Sequence, residues 1–258
     1  MRILKKALPV WGAFFVFCSV DVSALCSVDQ KAENVEVAHV YDGDTVRLKD
    51  GRKIRIIGIN TPETEKENQP AEYMADRATE ALKQILDSAQ VSLVLGEESK
   101  DRYKRWLGHL FVDGELVSEQ MLSQGLAFHI AIPPNLSFAD CLKAAEVQSE
   151  GKGLWEMPSS LVKHVTELRS GESGFRVLIG EISSVRQIRN GYILELAGML
   201  AVKVSVEQLQ DLGYSNVNGL KGSKVRVRGW IKPKSSKAPS HYLPWFLAIS
   251  HPFHFELR

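Results

Sequence analysis

The chain has 258 residues, 44% of them apolar, with 32 basic and 31 acidic side chains for a net charge of +1. That length allows one large or two modest domains, and the apolar share excludes a disordered chain. Its 3 cysteines and 7 histidines show no zinc-type spacing, and the nearest pair, His251 and His254, reads as the end of a strand.

The first segment reads as a leader. Arg2, Lys5 and Lys6 precede an apolar run from Ala7 to Val20, and Val22-Ser23-Ala24 offers small residues for cleavage. The run is shorter than the ~20 residues a membrane span requires, so residues 1–24 are expected to be a secretory signal peptide and the protein to be exported, to a periplasm or beyond. Cys18 leaves with that leader. Cys26 and Cys141 remain, and an oxidising compartment makes them a candidate disulfide.

From Asn34 to Tyr41, β-branched residues alternate with polar ones and predict a strand. Val46 and Leu48 begin a hairpin that turns at Asp50-Gly51 and returns over Lys53 to Ile59, with Ile54 and Ile56 on one face and Arg55 on the other. Gln69-Pro70 opens a helix predicted over Ala71 to Leu86. Strands follow at Val91–Leu95 and Trp106–Val112. Val117–Gln124 is a short helix stopped by Gly125, and Ser137 is expected to cap a last helix reaching Glu150. Residues 158–173 are polar and read as a linker between a unit at 34–157 and a second unit at 174–258.

Beyond residue 173 the pattern is mainly β. Strands are predicted at Val177–Val185, Tyr192–Leu196, Leu200–Val204, Lys224–Ile231 and Trp245–Ser250, with a helix at Val206–Leu212. Five strands with one helix after the third fit a small OB-like barrel. The charge is uneven. Leu25 to Ser173 has 17 basic against 25 acidic residues, and Gly174 to Arg258 has 12 against 5. An acidic unit joined to a basic one suggests cation use in the first and anion binding in the second, or two surfaces that attract each other. In the basic part, Arg186, Arg189, Lys203, Lys224, Arg226, Arg228, Lys232, Lys234 and Lys237 are interleaved with Tyr192, Trp230, Tyr242 and Trp245. Such a face either binds single strands or is an ordinary solvated strand face.

The chemistry gathers in Asp42 to Thr64, DGDTVRLKDGRKIRIIGINTPET, and in Asp101-Arg102-Tyr103-Lys104-Arg105. Cutting a phosphodiester requires a placed water, neutralised phosphate oxygens and a stabilised leaving oxygen. Asp44, the Asn60 amide oxygen and the Thr61 carbonyl can ligate a hard cation. Glu63 can orient or deprotonate water, and Arg55 and Arg105 can fork onto phosphate oxygens. Taken singly, each has a plain reading: a turn, a solvated strand charge, an acidic loop, a surface ion pair. The ordered combination argues against those readings.

The segments DGDTVRL, IRIIGINTPET, KDRYKRWLGHLFVDGELVSEQMLSQGLA and AEVQSEGKGLW together resemble the staphylococcal-nuclease family over roughly Val35 to Trp155. The resemblance implies an α+β fold, a five-stranded OB-type barrel with three helices, ahead of the second, mainly β OB-like barrel. It implies Asp44 and Thr61 as calcium ligands, Glu63 acting on water, Arg55 and Arg105 gripping phosphate, and DNA or RNA as substrate. Two departures stand out. Asn60 occupies the place of the family's second calcium-ligating aspartate, which removes one negative charge and implies weaker calcium binding or use of another divalent cation. The segment Phe128 to Pro134, FHIAIPP, lacks the tyrosines of the family's nucleotide pocket, so the nucleic-acid-binding residues are unknown. The alternative to an enzyme is a catalytically weak nuclease-like protein that holds nucleic acid.

Overall fold

A computed structural model describes Cys26 and residues 32–65, 67, 69–87, 90–156 and 161–258. The expected leader, residues 1–24, lies outside the described residues. Two seven-stranded sheets dominate, with helices at Ala75–Asp87, Val117–Ser123, Ala139–Val147 and Val206–Asp211.

The first sheet runs in the order Glu33–Asn34, Val91–Lys100, Trp106–Val112, Lys53–Ile56, Thr45–Leu48, Val37–Asp42, and Glu115–Leu116 adds to Trp106–Val112. The hairpin is set by Asp50, whose carboxylate accepts the Arg52 N–H at 2.9 Å, and by Gly51 in the left-handed region at φ 91°. Its register pairs Thr45 with Arg55 and Val46 with Ile54. Period-two alternation then buries Ile54 and Ile56 among Val46, Leu82, Leu93 and Leu110, while Arg55 takes the opposite face. Lys53–Ile56 also pairs parallel with Trp106–Val112, with Arg55 opposite Leu107.

Three boundaries differ from expectation. The first helix begins at Ala75 rather than Ala71. Residues ahead of it are engaged elsewhere: the Glu72 N–H donates to the Glu63 carbonyl at 2.9 Å, and Met74 is left-handed at φ 66°. The third helix is shorter than expected, with Phe138 and not Ser137 at its cap position and no side-chain cap bond. The Val91 strand runs on to Lys100 through an irregularity after Leu95 and delivers the Asp101–Arg105 loop.

The second sheet runs Val162–His164, Gly174–Ile188, Gly191–Leu196, Leu200–Val204, Trp245–Ala248, Lys224–Pro233, Phe255–Leu257, and Gly174–Ile188 also pairs with Lys224–Pro233. Leu178, Leu194, Val202, Val225, Val227 and Leu247 fill its core. Part of the stretch read as a linker is therefore strand, with Val162 opposite Val177. His251 and His254 do not end a strand. Pro252–His254 is a single 3-10 turn, which Pro252 favours at its first position. His254 is buried; its Nε2 accepts the Ala131 N–H at 2.9 Å, and its Nδ1 bonds Ser250 Oγ at the same distance. Burial, then the charge of Arg228, holds this imidazole down at about 2, so it is neutral and fit to accept.

The second sheet meets the earlier part of the chain in a third apolar cluster, Phe128, Ile130 and Leu154 against Leu161, Phe175 and Val177. Beside it lies Arg228, the largest fully buried side chain. Its Nη1 donates to Glu146 Oε1 at 2.5 Å and to the His129 carbonyl at 3.2 Å, and its Nη2 donates to Glu256 Oε1 at 3.2 Å. Glu146 Oε1 also accepts the His129 N–H at 2.8 Å. Far away in sequence, the sulfurs of Cys26 and Cys141 lie 2.08 Å apart, within bonding distance across 115 residues.

Truncating Arg228→Ala strands the Glu146 carboxylate in the interface and is expected to cost about 3–5 kcal/mol in urea unfolding. The double variant Arg228→Met with Glu146→Leu removes both charges and should recover much of that loss. A loss in the double variant equal to the sum of the Arg228→Met and Glu146→Leu losses would show that the pair contributes no coupling.

Candidate active site

The site is built on the hairpin and its neighbours. Asp44 follows Gly43, where an added Cβ would fall 2.8 Å from the Thr61 side chain and 2.9 Å from Ala78. Only glycine permits this close approach, which presses the Asp42-Gly43-Asp44 turn against Thr61. Asp44 is buried. Its Oδ2 accepts the Thr61 N–H at 2.9 Å and the Thr61 hydroxyl at 3.0 Å, and its Oδ1 accepts the Thr45 hydroxyl at 3.0 Å.

Arg55 is not a solvated strand charge. Its Nη1 donates to the carbonyls of Ile56 and Ile59 at 2.8 and 2.9 Å, and its Nη2 lies 3.0 Å from Asp44 Oδ2 and 3.2 Å from Asn60 Oδ1. One guanidinium thus ties the strand, the turn after it and two oxygens of the expected ligand set. The Asn60 amide N–H donates to the Thr61 carbonyl at 3.3 Å. The oxygens of Asp44, Asn60 and Thr61 are all hard donors, which suits a hard divalent cation. Among the described residues no group of three or more His, Cys, Asp or Glu side chains stands together as a metal site, so the set draws on amide and carbonyl oxygens beside Asp44.

Arg105 arrives from the far end of the extended strand. Asp101 organises its loop, accepting the N–H groups of Tyr103 and Arg105 on Oδ1 and the Arg105 Nε–H on Oδ2 at 2.7 Å. Burial raises the Asp101 pKa, but the Arg105 bonds more than offset it and leave the carboxyl below its ordinary value. Glu63 is exposed. Its backbone is clamped by Glu72, which accepts the Glu63 N–H at 3.0 Å and, through its other oxygen, accepts Arg176 Nη1 at 3.2 Å.

Asp44, Arg55, Asn60, Glu63 and Arg105 line one cleft of about 1150 Å³, and Thr61 lies buried just behind Asp44. The same cleft takes in residues that sequence reasoning did not assign. Asp42 lines it and accepts the Asp44 N–H at 3.1 Å. Burial first, then the charge of Asp44, raises Asp42 to about 6. Its place in Asp-Gly-Asp was the signal available. Trp230 and Lys232, from the second sheet, also line it.

The model of the staphylococcal nuclease homologue family matches residues 53–157. The thermonuclease of Staphylococcus intermedius is 33% identical over 135 residues, 50% of this chain and 80% of that protein. The chain belongs to the staphylococcal nuclease family. The thermonuclease of Staphylococcus hyicus is 32% identical over 128 residues, covering 48% of this chain and 76% of the other. Endonuclease YncB of Bacillus subtilis is 30% identical over 133 residues, 49% of this chain and 63% of that one. As a staphylococcal-nuclease member, the chain has an OB-type fold in its matched part. The family model ends at residue 157, so Trp230 and Lys232 reach this cleft from outside it.

Because Arg55 holds four acceptors in a planar fork, Arg55→Lys is expected to lower stability by about 1–3 kcal/mol in urea unfolding. Arg105→Lys, with a partner on a partly exposed loop, should change it by less than about 1 kcal/mol. Equal losses would mean that Arg55 does not brace the site.

Proposed function

We propose that this chain is an exported, divalent-cation-dependent endonuclease that hydrolyses phosphodiester bonds of DNA or RNA. Its membership of the nuclease family, with thermonucleases and an endonuclease among its relatives, supports the hydrolase class. The observation that carries the finer reading is the convergence of Asp44, Asn60, Glu63, Arg55 and Arg105 on one cleft.

In this reading Asp44, Asn60 and the Thr61 carbonyl hold the cation, with calcium the first candidate. When bound, the ion supplies Lewis-acid stabilisation of charge on the phosphate. Glu63, exposed at the cleft, orients a water and takes its proton as the oxygen attacks phosphorus; the P–O bond to the leaving nucleotide breaks, and the departing oxygen takes a proton from solvent. Arg55 and Arg105 donate to the non-bridging oxygens, where negative charge accumulates in the transition state. Arg105 is held in place by Asp101 before substrate arrives, whereas Arg55, engaged with Ile56, Ile59, Asp44 and Asn60, exchanges part of that set for phosphate oxygens. Export is supported by the leader pattern before residue 25 and by the relatives' class. No helix among the described residues is long and apolar enough to cross a membrane.

One observation favours a second reading, a nucleic-acid-holding protein with weak turnover: Asn60 brings no charge to the cation. The two readings part on a simple assay. Mature protein is incubated with plasmid, single-stranded DNA and RNA, each with calcium, magnesium or a chelator. Cleavage that requires the cation is expected, and Glu63→Gln and Arg105→Ala should each lower the rate by at least about 10²-fold. Binding without cleavage would select the second reading.

Asn60→Asp restores a carboxylate and is expected to tighten calcium binding in a direct titration. An unchanged affinity would remove Asn60 from the ligand set.

A further inference from the structure

The Lys224–Pro233 strand alternates strictly. Val225, Val227 and Ile231 point into the core of the second sheet. Arg226, Arg228, Trp230 and Lys232 take the other face. The first two are spent on the contact between sheets: the Arg226 guanidinium lies 5.0 Å from the centre of the Trp155 ring, and Arg228 is buried against Glu146. The next two run past the end of that contact into the cleft that holds Arg55 and Arg105. Trp230 is 43% exposed, although a ring of that size is highly buried on average. It is nonetheless fixed in place. Its ring packs edge-on against Phe175 at 5.4 Å, Phe175 packs on Phe128 at 5.5 Å, and Phe128 meets Trp155 at 5.1 Å.

We infer that Trp230 and Lys232 form a nucleotide subsite, in which an unpaired base of a single-stranded polynucleotide stacks on the Trp230 indole and Lys232 contacts a neighbouring phosphate. The inference rests on the endonuclease reading of the same cleft and adds to it the part played by the second sheet. Three points carry it. An aromatic face held open to solvent beside two phosphate-gripping arginines is the arrangement that stacks bases without reading sequence. A base inside a duplex has no free face to offer, so the subsite selects single strands or frayed ends. The cleft, about 1150 Å³, exceeds the roughly 300–1,000 Å³ of small-ligand pockets and suits a few nucleotides. The FHIAIPP segment that lacks pocket tyrosines contributes Phe128, which stands behind Phe175 in the aromatic chain that supports Trp230.

The test uses the full mature protein with calcium and a fluorescein-labelled single-stranded oligonucleotide. Trp230→Ala should raise KM by roughly 10- to 100-fold, with a smaller loss in kcat, and should weaken anisotropy-measured binding to the same degree in a Glu63→Gln background. Trp230→Phe, which keeps a stacking ring, should recover most of it. Lys232→Glu should weaken binding and flatten its dependence on salt. A folded Trp230→Ala protein with wild-type KM and affinity overturns the subsite while leaving the nuclease reading intact. If the wild type cuts nothing, the nuclease reading falls, and anisotropy alone decides the subsite by the same criterion. If Trp230→Ala does not fold, wild-type affinity in Lys232→Glu overturns the proposal.

Discussion

A buried arginine sets the relation between the two sheets. Arg228 has almost no contact with water, and a guanidinium cannot discharge itself by losing its proton. It is stable there only because Glu146, the His129 carbonyl and Glu256 meet it from fixed directions. Those partners come from the third helix, from the strand after Gly125, and from the last strand of the second sheet. Any slide of one sheet over the other would leave a charge unpaired in an apolar seam. The contact is therefore specific in register as well as favourable, and the flanking pairs follow it: Arg226 over Trp155, Lys143 with Glu256, Arg176 with Glu72.

That register reaches the proposed chemistry by two routes. Along the Lys224–Pro233 strand, two and four residues beyond Arg228, it carries Trp230 and Lys232 into the cleft. Through Arg176 it holds Glu72, and Glu72 in turn clamps the backbone of Glu63 from both sides. The loop that Glu63 belongs to carries an exposed carboxylate. Here its position depends on a salt bridge to the second sheet, and that same engagement explains why the helix after it starts at Ala75. The family-matched part thus supplies the residues, and the second sheet helps to place one of them.

Local patterns were legible in the sequence wherever local physics decided the outcome. The Asp50-Gly51 turn and the alternation about Arg55 required only neighbours, and both stand as read. The ordered motifs also pointed to Asp44, Asn60, Glu63, Arg55 and Arg105, and the fold brings them to one cleft. What failed was decided by distant partners. Residues 71–74 have helical character, but Glu72 bonds to Glu63 and Met74 is left-handed. His254 carries strand-like neighbours but turns inward to accept from Ala131, 123 residues away. Arg55 reads as a site residue, but its bonds to Ile56, Ile59 and Asn60 become visible only once the chain bends back after Ile56. The basic stripe from Arg226 to Lys232 could be seen, but not which of its members would be buried.

The charge asymmetry between the halves admitted two explanations, mutual attraction and substrate binding, and the strand that carries it serves both in succession. Arg226 and Arg228 face carboxylates and an indole across the seam, where desolvation makes each unpaired charge costly and fixes them to their partners. Lys232, past the seam, is exposed and meets the cleft. A protein whose first part carries an excess of acidic residues repels a polyanion there. Asn60 lessens that repulsion by one charge, and a lysine lining the same cleft opposes it further. The amide that weakens the proposed cation site and the added wall that favours a phosphate chain therefore act in the same direction, moving part of the electrostatic work of binding substrate from the ion to the protein.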